Sequence, residues 1–331
     1  MATLKDVAKL ACVDVSTVSR ALNNTSYVHP ETKERVYAAA KELGYHPNVI
    51  AQALRQGKRR TIGGVVPRLH LTIFSEVLQG IEKQARLQGY TTLICNTYDD
   101  AKIEKESLER LRGGFCDGII IASTGNNRRL LRDIQAGGVE VVQLIRRQDP
   151  ELSSVVADYA ACGRDAVNFL YGRGSRRIGL INGYLHLEPY RGRYEGYCEA
   201  VRALGLEELT SHSDREVNSF RYGYECACAL LDENPDLDAI VSAVDVQGLG
   251  AIRAVSERGL KIPEQVRVIS LTGHRVGRML ETTMSAMELP AFEMGAEAAK
   301  MIIERIEADP KRKGGSRNLS FNAELAERES T

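Results

Sequence analysis

Neither sign of charge prevails in this sequence: Lys+Arg and Asp+Glu both number 44 over 331 residues, so overall charge selects no class of partner. No CxxC pair or zinc-finger spacing occurs among the seven cysteines, at positions 12, 95, 116, 162, 198, 226 and 228. Their odd number and scattered spacing argue against a disulfide framework or a zinc site, and reduced, mostly buried thiols are expected. No 18-residue apolar run occurs, and the N-terminus has no apolar signal-like stretch. That argues against membrane crossing and secretion and points to the cytoplasm. A dinucleotide fingerprint is also missing (GGVV after Ile62 is not one), as are a Walker-type glycine loop and a nucleophile elbow. With no paired nucleophile and base and no metal-ligand cluster, neither an enzyme nor a metal or cofactor is expected.

What is present is unevenly placed. Residues 1–60 hold ten Lys/Arg against five acids, leaving 34 against 39 for residues 61–331. A basic N-terminal module on a mildly acidic body suits a polyanion reader joined to something else. Within it, residues 5–22, KDVAKLACVDVSTVSRAL, read as two short amphipathic helices with a tight turn between them. Ala8, Leu10 and Val13 are expected to face inward with Val18, Ala21 and Leu22, leaving Ser16, Ser19 and Arg20 outside. Asp14 is placed to cap the second helix with its carboxylate. A short capped helix with small polar residues and one Arg outside has the shape that enters a DNA major groove, although an ordinary helical hairpin fits this stretch alone. A third helix follows, with Pro30 at its first position, Val36, Ala40 and Leu43 as its stripe, and Gly44 as its left-handed stop. Residues 47–57, PNVIAQALRQG, are helix-competent but too short to be stable alone, since isolated helices below roughly 12–15 residues are marginal.

From Thr61 onward the pattern changes. Short apolar runs (TIGGVV, TTLICN, DGIIIAS, VEVVQLI, SSVVAD, RRIGLING, DAIVSAV, VRVISLT) alternate with helical stretches such as SEVLQGIEKQARLQG and AFEMGAEAAKMIIERIEAD. Continuous apolar strands alternating with helices imply doubly wound parallel sheets. Eight such units exceed one comfortable core, and a break at 158–163 divides them. Two α/β lobes with a cleft at the strand C-termini are predicted, because ligands bind there in open sheets.

The chain resembles the lactose/galactose repressor family over essentially its whole length. The resemblance rests on TLKDVAKLA, VSTVSRALNN, ETKERVYAAAKELGYHPNVIAQALRQG, TIGGVVP, FSEVLQGIE, DGIII, RRIGLI and GRYEGY, with Asp158, Arg193 and Asp245. It implies a helix–turn–helix headpiece over 1–46, a hinge helix and linker over 47–60, and a two-lobed core like a periplasmic sugar-binding protein over 61–331. The first lobe is placed at about 61–158 plus 288–318 and the second at about 159–287. By position, Val15, Ser16 and Arg20 match the family's base-reading residues. The chemistry agrees: Arg20 can donate twice to a guanine edge, Ser16 can donate or accept, and Val15 can pack on a thymine methyl. Thr3, Thr17, Ser19, Asn23, Tyr45, Arg55 and Lys58 are assigned to phosphate contact or packing. Leu54, beside Arg55, Lys58, Arg59 and Arg60, matches the leucine that wedges into a minor-groove step. Paired wedges and half-sites imply a homodimer on a palindromic operator in double-stranded DNA, and AELAEREST lacks the leucine heptads of a tetramer-forming coiled coil. Cys12 stands where the family often has Gly or Asn and carries strain if its φ is positive.

For the effector, the resemblance assigns Phe74, Asp158, Arg193 and Asp245. Where the family usually has Gly-Tyr-Asp, this chain has Ser270, Leu271 and Thr272, so Thr272 replaces a carboxylate. Arg68 and Arg146 follow two strand ends that should open onto the cleft. Losing an acid and gaining two bases shifts the site toward an anion, because arginine forks match phosphate or carboxylate oxygens. The arrangement looks like the trehalose-6-phosphate-sensing subgroup, which implies a sugar phosphate or other acidic sugar. Alternatively, Arg68 and Arg146 are solvated or pair with Glu76 and Asp149. His186 and Arg191 sit in a loop that could also face the cleft. The reading that follows is a sequence-specific, ligand-controlled repressor of a carbohydrate operon. Its alternatives are a regulator responding to a neutral sugar or nucleoside, and a sugar-binding module without a DNA role.

Overall fold

Thr3 starts the first helix with a reciprocal cap. Its hydroxyl accepts from the Asp6 N–H at 3.3 Å while the Asp6 carboxylate accepts from the Thr3 N–H at 2.8 Å, so two of the helix's orphan donors are satisfied at once. The structure is a computed structural model that describes residues 2–23, 26–45, 59–213, 219–273, 275–309 and 314–331. It divides into two units, Met1–Arg59 and Arg60–Thr331. In the first unit, α1 (Leu4–Ala11), α2 (Val15–Asn23) and α3 (Pro30–Glu42) close around Val7, Ala8, Ala11, Val18, Ala21, Val36, Ala39 and Ala40. Leu10 does not join them and is 43% exposed, whereas Val7 is fully buried. At 100° per residue the inward stripe runs through 4, 7, 8 and 11, and position 10 falls outside it. Asp14 precedes α2, but the acceptor recorded there is its main-chain carbonyl, 2.9 Å from the Thr17 N–H and 3.0 Å from that of Val18. Gly44 has φ +56, and the Tyr45 N–H returns to the Ala40 carbonyl at 2.8 Å, a left-handed helix stop.

The second unit holds two six-stranded sheets. The first combines β1 (Thr61–Val66), β2 (Thr91–Asn96), β3 (Gly118–Ile121), β4 (Glu140–Leu144) and β5 (Ser153–Ala157) with β11 (Asn318–Phe321), in the order β11-β5-β4-β3-β1-β2. The second combines β6 (Ile178–Ile181), β7 (Leu209–Ser211), β8 (Ala239–Ser242), β9 (Arg267–Ser270) and β10 (Ser285–Glu288) with β12 (Glu324–Ala326), in the order β12-β10-β9-β8-β6-β7. The pairings are parallel except that of β10 with β12. The helices between them are α4 (Thr72–Leu87), α5 (Ala101–Arg110), α6 (Arg128–Ala136), α7 (Tyr159–Gly172), α8 (Glu188–Ala203), α9 (Phe220–Glu233), α10 (Asp245–Glu257) and α11 (Ala291–Glu307).

The chain therefore crosses between lobes three times: after β5, between β10 and α11, and between β11 and β12. This corrects the expected boundaries. Glu288 still belongs to the second sheet, the first lobe continues past 318 to Phe321, and the tail returns to the second lobe. The strands missed at the tail are edge strands, half or more exposed, so they lack the continuous apolar run of a doubly covered strand.

Glycines set how closely the helices pack. A Cβ on Gly196 of α8 would lie 1.9 Å from the Ala160 carbonyl oxygen of α7, and one on Gly295 of α11 would lie 2.0 Å from that of Val77 in α4. Backbone meets backbone at both crossings.

Candidate DNA-reading face and ligand cleft

On α2, Val15 is 41% exposed, and Ser16 and Arg20 are exposed beside it. The Arg20 guanidinium is drawn along its own helix: Nε donates to the Ser16 carbonyl at 3.2 Å, and Nη2 donates to the Ser16 and Thr17 hydroxyls, both at 3.3 Å. Asn23 Nδ2 donates to the Ser19 hydroxyl at 3.2 Å. Thr3 is exposed in its capping box, and Tyr45 is half-buried against the helical core. Cys12, in the turn before α2, has φ 54, the left-handed region that favours glycine. Leu54, Arg55 and Lys58 lie outside the described residues, as does the whole expected hinge helix. Arg60 heads β1, its N–H donating to the Asp117 carboxylate at 2.6 Å.

In the core, the strand C-termini of the two lobes face a cavity of about 30 Å³ lined by Phe74, Ile145 and Arg146 from the first lobe and Tyr190, Arg193 and Thr272 from the second. Arg146 and Arg193 are each only 2% exposed, and arginine is almost never buried unless paired. The partner of Arg146 is Asp99, at the end of β2. One terminal nitrogen makes a short contact to Oδ1, and Nη2 donates to Oδ2 at 3.1 Å. Arg68 Nε stands 3.6 Å from the same carboxylate. Neither arginine pairs with Asp149, whose carboxylate is held by Arg132 at 2.6 and 3.0 Å. The Phe74 ring lies 5.9 Å from the Arg146 guanidinium carbon.

Across the cavity, Arg193 stacks between Tyr159 and Tyr190 at 5.0 and 5.9 Å and donates to the Leu271 carbonyl at 3.3 Å. Its Nε is buried with no hydrogen-bond partner among the described residues. Asp245 accepts from the Ser270 hydroxyl at 2.5 Å and the Gly273 N–H at 3.1 Å, and its own N–H donates to the Thr272 hydroxyl at 3.2 Å. Thr272 thus supports Asp245 as well as lining the cavity.

Asp158 stands apart from this group. Its carboxylate caps α7 by accepting from the Ala161 N–H at 2.9 Å, and it lines a neighbouring groove with Arg147, Glu188 and Arg191. Arg191 is on α8, not in a loop, and its guanidinium bonds the His186 carbonyl at 3.5 Å. Beside this groove the lobes are tied together. Glu188 accepts from the Arg147 N–H at 2.5 Å, and the Tyr159 hydroxyl donates to the Ile145 carbonyl at 2.6 Å. Burial pushes the Glu188 carboxyl above its ordinary range and the Tyr159 hydroxyl well above its own. Asp99, Tyr190 and Tyr159 were not anticipated. Asp99 follows a strand end just as Arg68 and Arg146 do, and the same reasoning applied to TTLICNTYDD would have found it.

Comparison with known proteins places this architecture. The model for bacterial regulatory proteins of the lacI family matches residues 3–48, and that for periplasmic binding proteins and the sugar-binding domain of the LacI family matches residues 59–329. The chain belongs to the LacI family. It is thus a DNA-binding transcriptional regulator with a two-lobed periplasmic-binding-protein-like core. The ribose operon repressor of Halalkalibacterium halodurans is 30% identical over 94% of this chain and 92% of its own length. The transcriptional repressor PurR of Pasteurella multocida is 30% identical over 92% of each. A solved CelR–cellobiose complex is 29% identical with a TM-score of 0.75, covering all of both chains. The Lac repressor dimer bound to operator, at 23% identity and a TM-score of 0.88 over 100% of this chain and 99% of that one, shares the fold. Among the described residues, no helix is long and apolar enough to cross a membrane, and no cluster of three or more His, Cys, Asp or Glu is placed to hold a metal ion.

Proposed function

We propose that this LacI-family regulator represses a carbohydrate-utilisation operon, binds a palindromic operator as a homodimer, and is controlled by an acidic sugar, a sugar phosphate or a sugar acid, held between its lobes. The observation that carries the ligand class is the charge of the cleft. Arg146 and Arg193 line the cavity, Arg68 stands behind Arg146 at 3.6 Å from Asp99, and Asp245 is turned onto Ser270 and Gly273, so three arginines stand with two carboxylates in and around it. An anion balances that excess, and the unpartnered Nε atoms of Arg68 and Arg193 supply donors for it. The arginine of VPRL together with Arg146 is also what resembles the trehalose-repressor subgroup. On the DNA side, Val15, Ser16 and Arg20 read bases, Thr3, Thr17, Ser19, Asn23, Tyr45, Arg55 and Lys58 hold phosphates, and Leu54 acts as the wedge. Ligand closes the cleft around Arg146 and Arg193, and closure decides whether segment 47–56 folds on DNA.

A second reading has one observation in its favour. The Asp99–Arg146 pair presents a carboxylate and a guanidinium side by side, the combination that grips neutral hydroxyls. Titrating the purified protein with neutral and acidic sugars, with operator binding followed by gel shift on the DNA flanking its gene, separates the two. Tight binding of a neutral sugar, with Arg68→Ala and Arg146→Ala harmless to it, would refute the acidic ligand. Leu54→Ala is expected to weaken operator binding while sparing the ligand.

A further inference from the structure

The cleft arginines are not equally free. Arg146 commits both terminal nitrogens to Asp99, and the two side chains are 3% and 6% exposed. Asp99 follows Tyr98 through two successive left-handed residues, φ 55 and 57, conformations that are costly for side chains other than glycine, Asn or Asp. Arg68 approaches the same carboxylate only to 3.6 Å, too far for a hydrogen bond, and its buried Nε has no partner among the described residues. One carboxylate therefore stands between two guanidiniums, hydrogen-bonded to Arg146 and only approached by Arg68, whose Nε is the donor left unspent.

We infer that Asp99 is a specificity-determining residue: by neutralising Arg146 it leaves Arg68 as the anion receptor, so the cleft selects a singly charged sugar acid over a sugar phosphate. The inference rests on the proposed reading of the cleft as an acidic-sugar site. A carboxylate matches one arginine fork. A phosphate monoester carries about −1.5 to −2 at pH 7, and its second charge would be desolvated beside Asp99, with the remaining cation, Arg193, across the cavity on the other lobe.

The test is calorimetric titration of the full chain with matched sets: glucose, glucuronate and glucose 6-phosphate, and galactose, galacturonate and galactose 6-phosphate. Within the set that binds, wild type should prefer the uronate to the phosphate at least tenfold, and Arg68→Ala should abolish that preference. Asp99→Asn, nearly the same shape, should reverse it by strengthening phosphate binding at least tenfold. Arg146→Gln is the reciprocal variant, leaving Asp99 unneutralised beside Arg68, and should weaken uronate binding at least tenfold even if Asp99→Asn fails to fold. Wild type binding the phosphate as well as or better than the uronate, or an unchanged ratio in folded Asp99→Asn, would overturn the role of Asp99 while leaving an acidic ligand standing. The neutral sugar binding as tightly as either acid, or no acidic sugar binding at all, would overturn the ligand class itself.

Discussion

The reading helix and the ligand cleft are assembled by opposite means. On α2, Val15, Ser16 and Arg20 lie within about two turns of one helix and are exposed, and among the described residues the Arg20 guanidinium bonds only residues three or four positions away. In and around the cleft, Arg68, Asp99 and Arg146 follow the ends of three strands while Arg193 comes from within α8, and Arg146 and Arg193 are almost wholly buried. The first arrangement needs little more than a helix and a small core beneath it. The second exists only while two sheets and their covering helices hold their strand ends in register. Substitutions on α2 should therefore change recognition without changing stability, whereas substitutions beneath the cleft should change both.

The largest effect expected is at a helix crossing. Gly196→Ala would force a methyl group against the Ala160 carbonyl and should destabilise the core by about 3 kcal/mol, at the upper end of overpacking costs. Urea unfolding monitored in the core and in the headpiece separately would show whether the loss stays in the core. Next is Arg20→Ala, expected to cost about 2 kcal/mol at one base position per half-site with no change in the melting temperature of the core. A fall in core stability would break the contrast drawn above.

Glu288 offers a pH-dependent case at the lobe crossover. It accepts from Arg278 at 2.7 Å and from Arg328. Burial acts to raise its carboxyl, but these arginines outweigh burial and hold it below its ordinary value of 4.5. A carboxyl lowered in the folded state contributes stability that is whole above its unfolded pKa and lost as pH falls through the folded one. Glu288→Gln should therefore cost about 1.5 kcal/mol at pH 7, and the gap from wild type should close as unfolding is measured at pH values falling below 4.5. A gap independent of pH would refute the ionic origin. The smallest effect is at the turn of the headpiece. Cys12→Gly relieves a left-handed cost of about 1 kcal/mol but gives the unfolded chain more freedom, for a net gain of about 0.5 kcal/mol in headpiece stability. Operator affinity should not move.

Much of the headpiece was legible because its signals are local. Pro30, Gly44 and the outward set Ser16, Ser19 and Arg20 follow from caps and a 3.6-residue period. Leu10 differs from the expectation because Val7, not Leu10, continues the inward series from Leu4. In the core, eight strands announced themselves as apolar runs, the edge strand β2 among them, while the edge strands β7, β11 and β12 and the interior strand β10, whose SAME is no apolar run, did not. Of the two arginines that follow strand ends, Arg146 lines the cavity, and its partner is Asp99 rather than Glu76 or Asp149. Asp158 was read as a cleft residue, yet it caps a helix facing the adjacent groove.

The sequence by itself determined the helices, the strands written as apolar runs, the order of the two lobes and the outward face of α2, since each depends on residues within a few positions of one another. Only the tertiary structure decided which carboxylate meets the cleft arginines. Asp99, Arg68 and Arg146 end neighbouring or near-neighbouring strands of one parallel sheet yet stand far apart along the chain. Inside that sheet a guanidinium out of water must find an anion, and the anion within reach is set by strand order, which sequence spacing does not record.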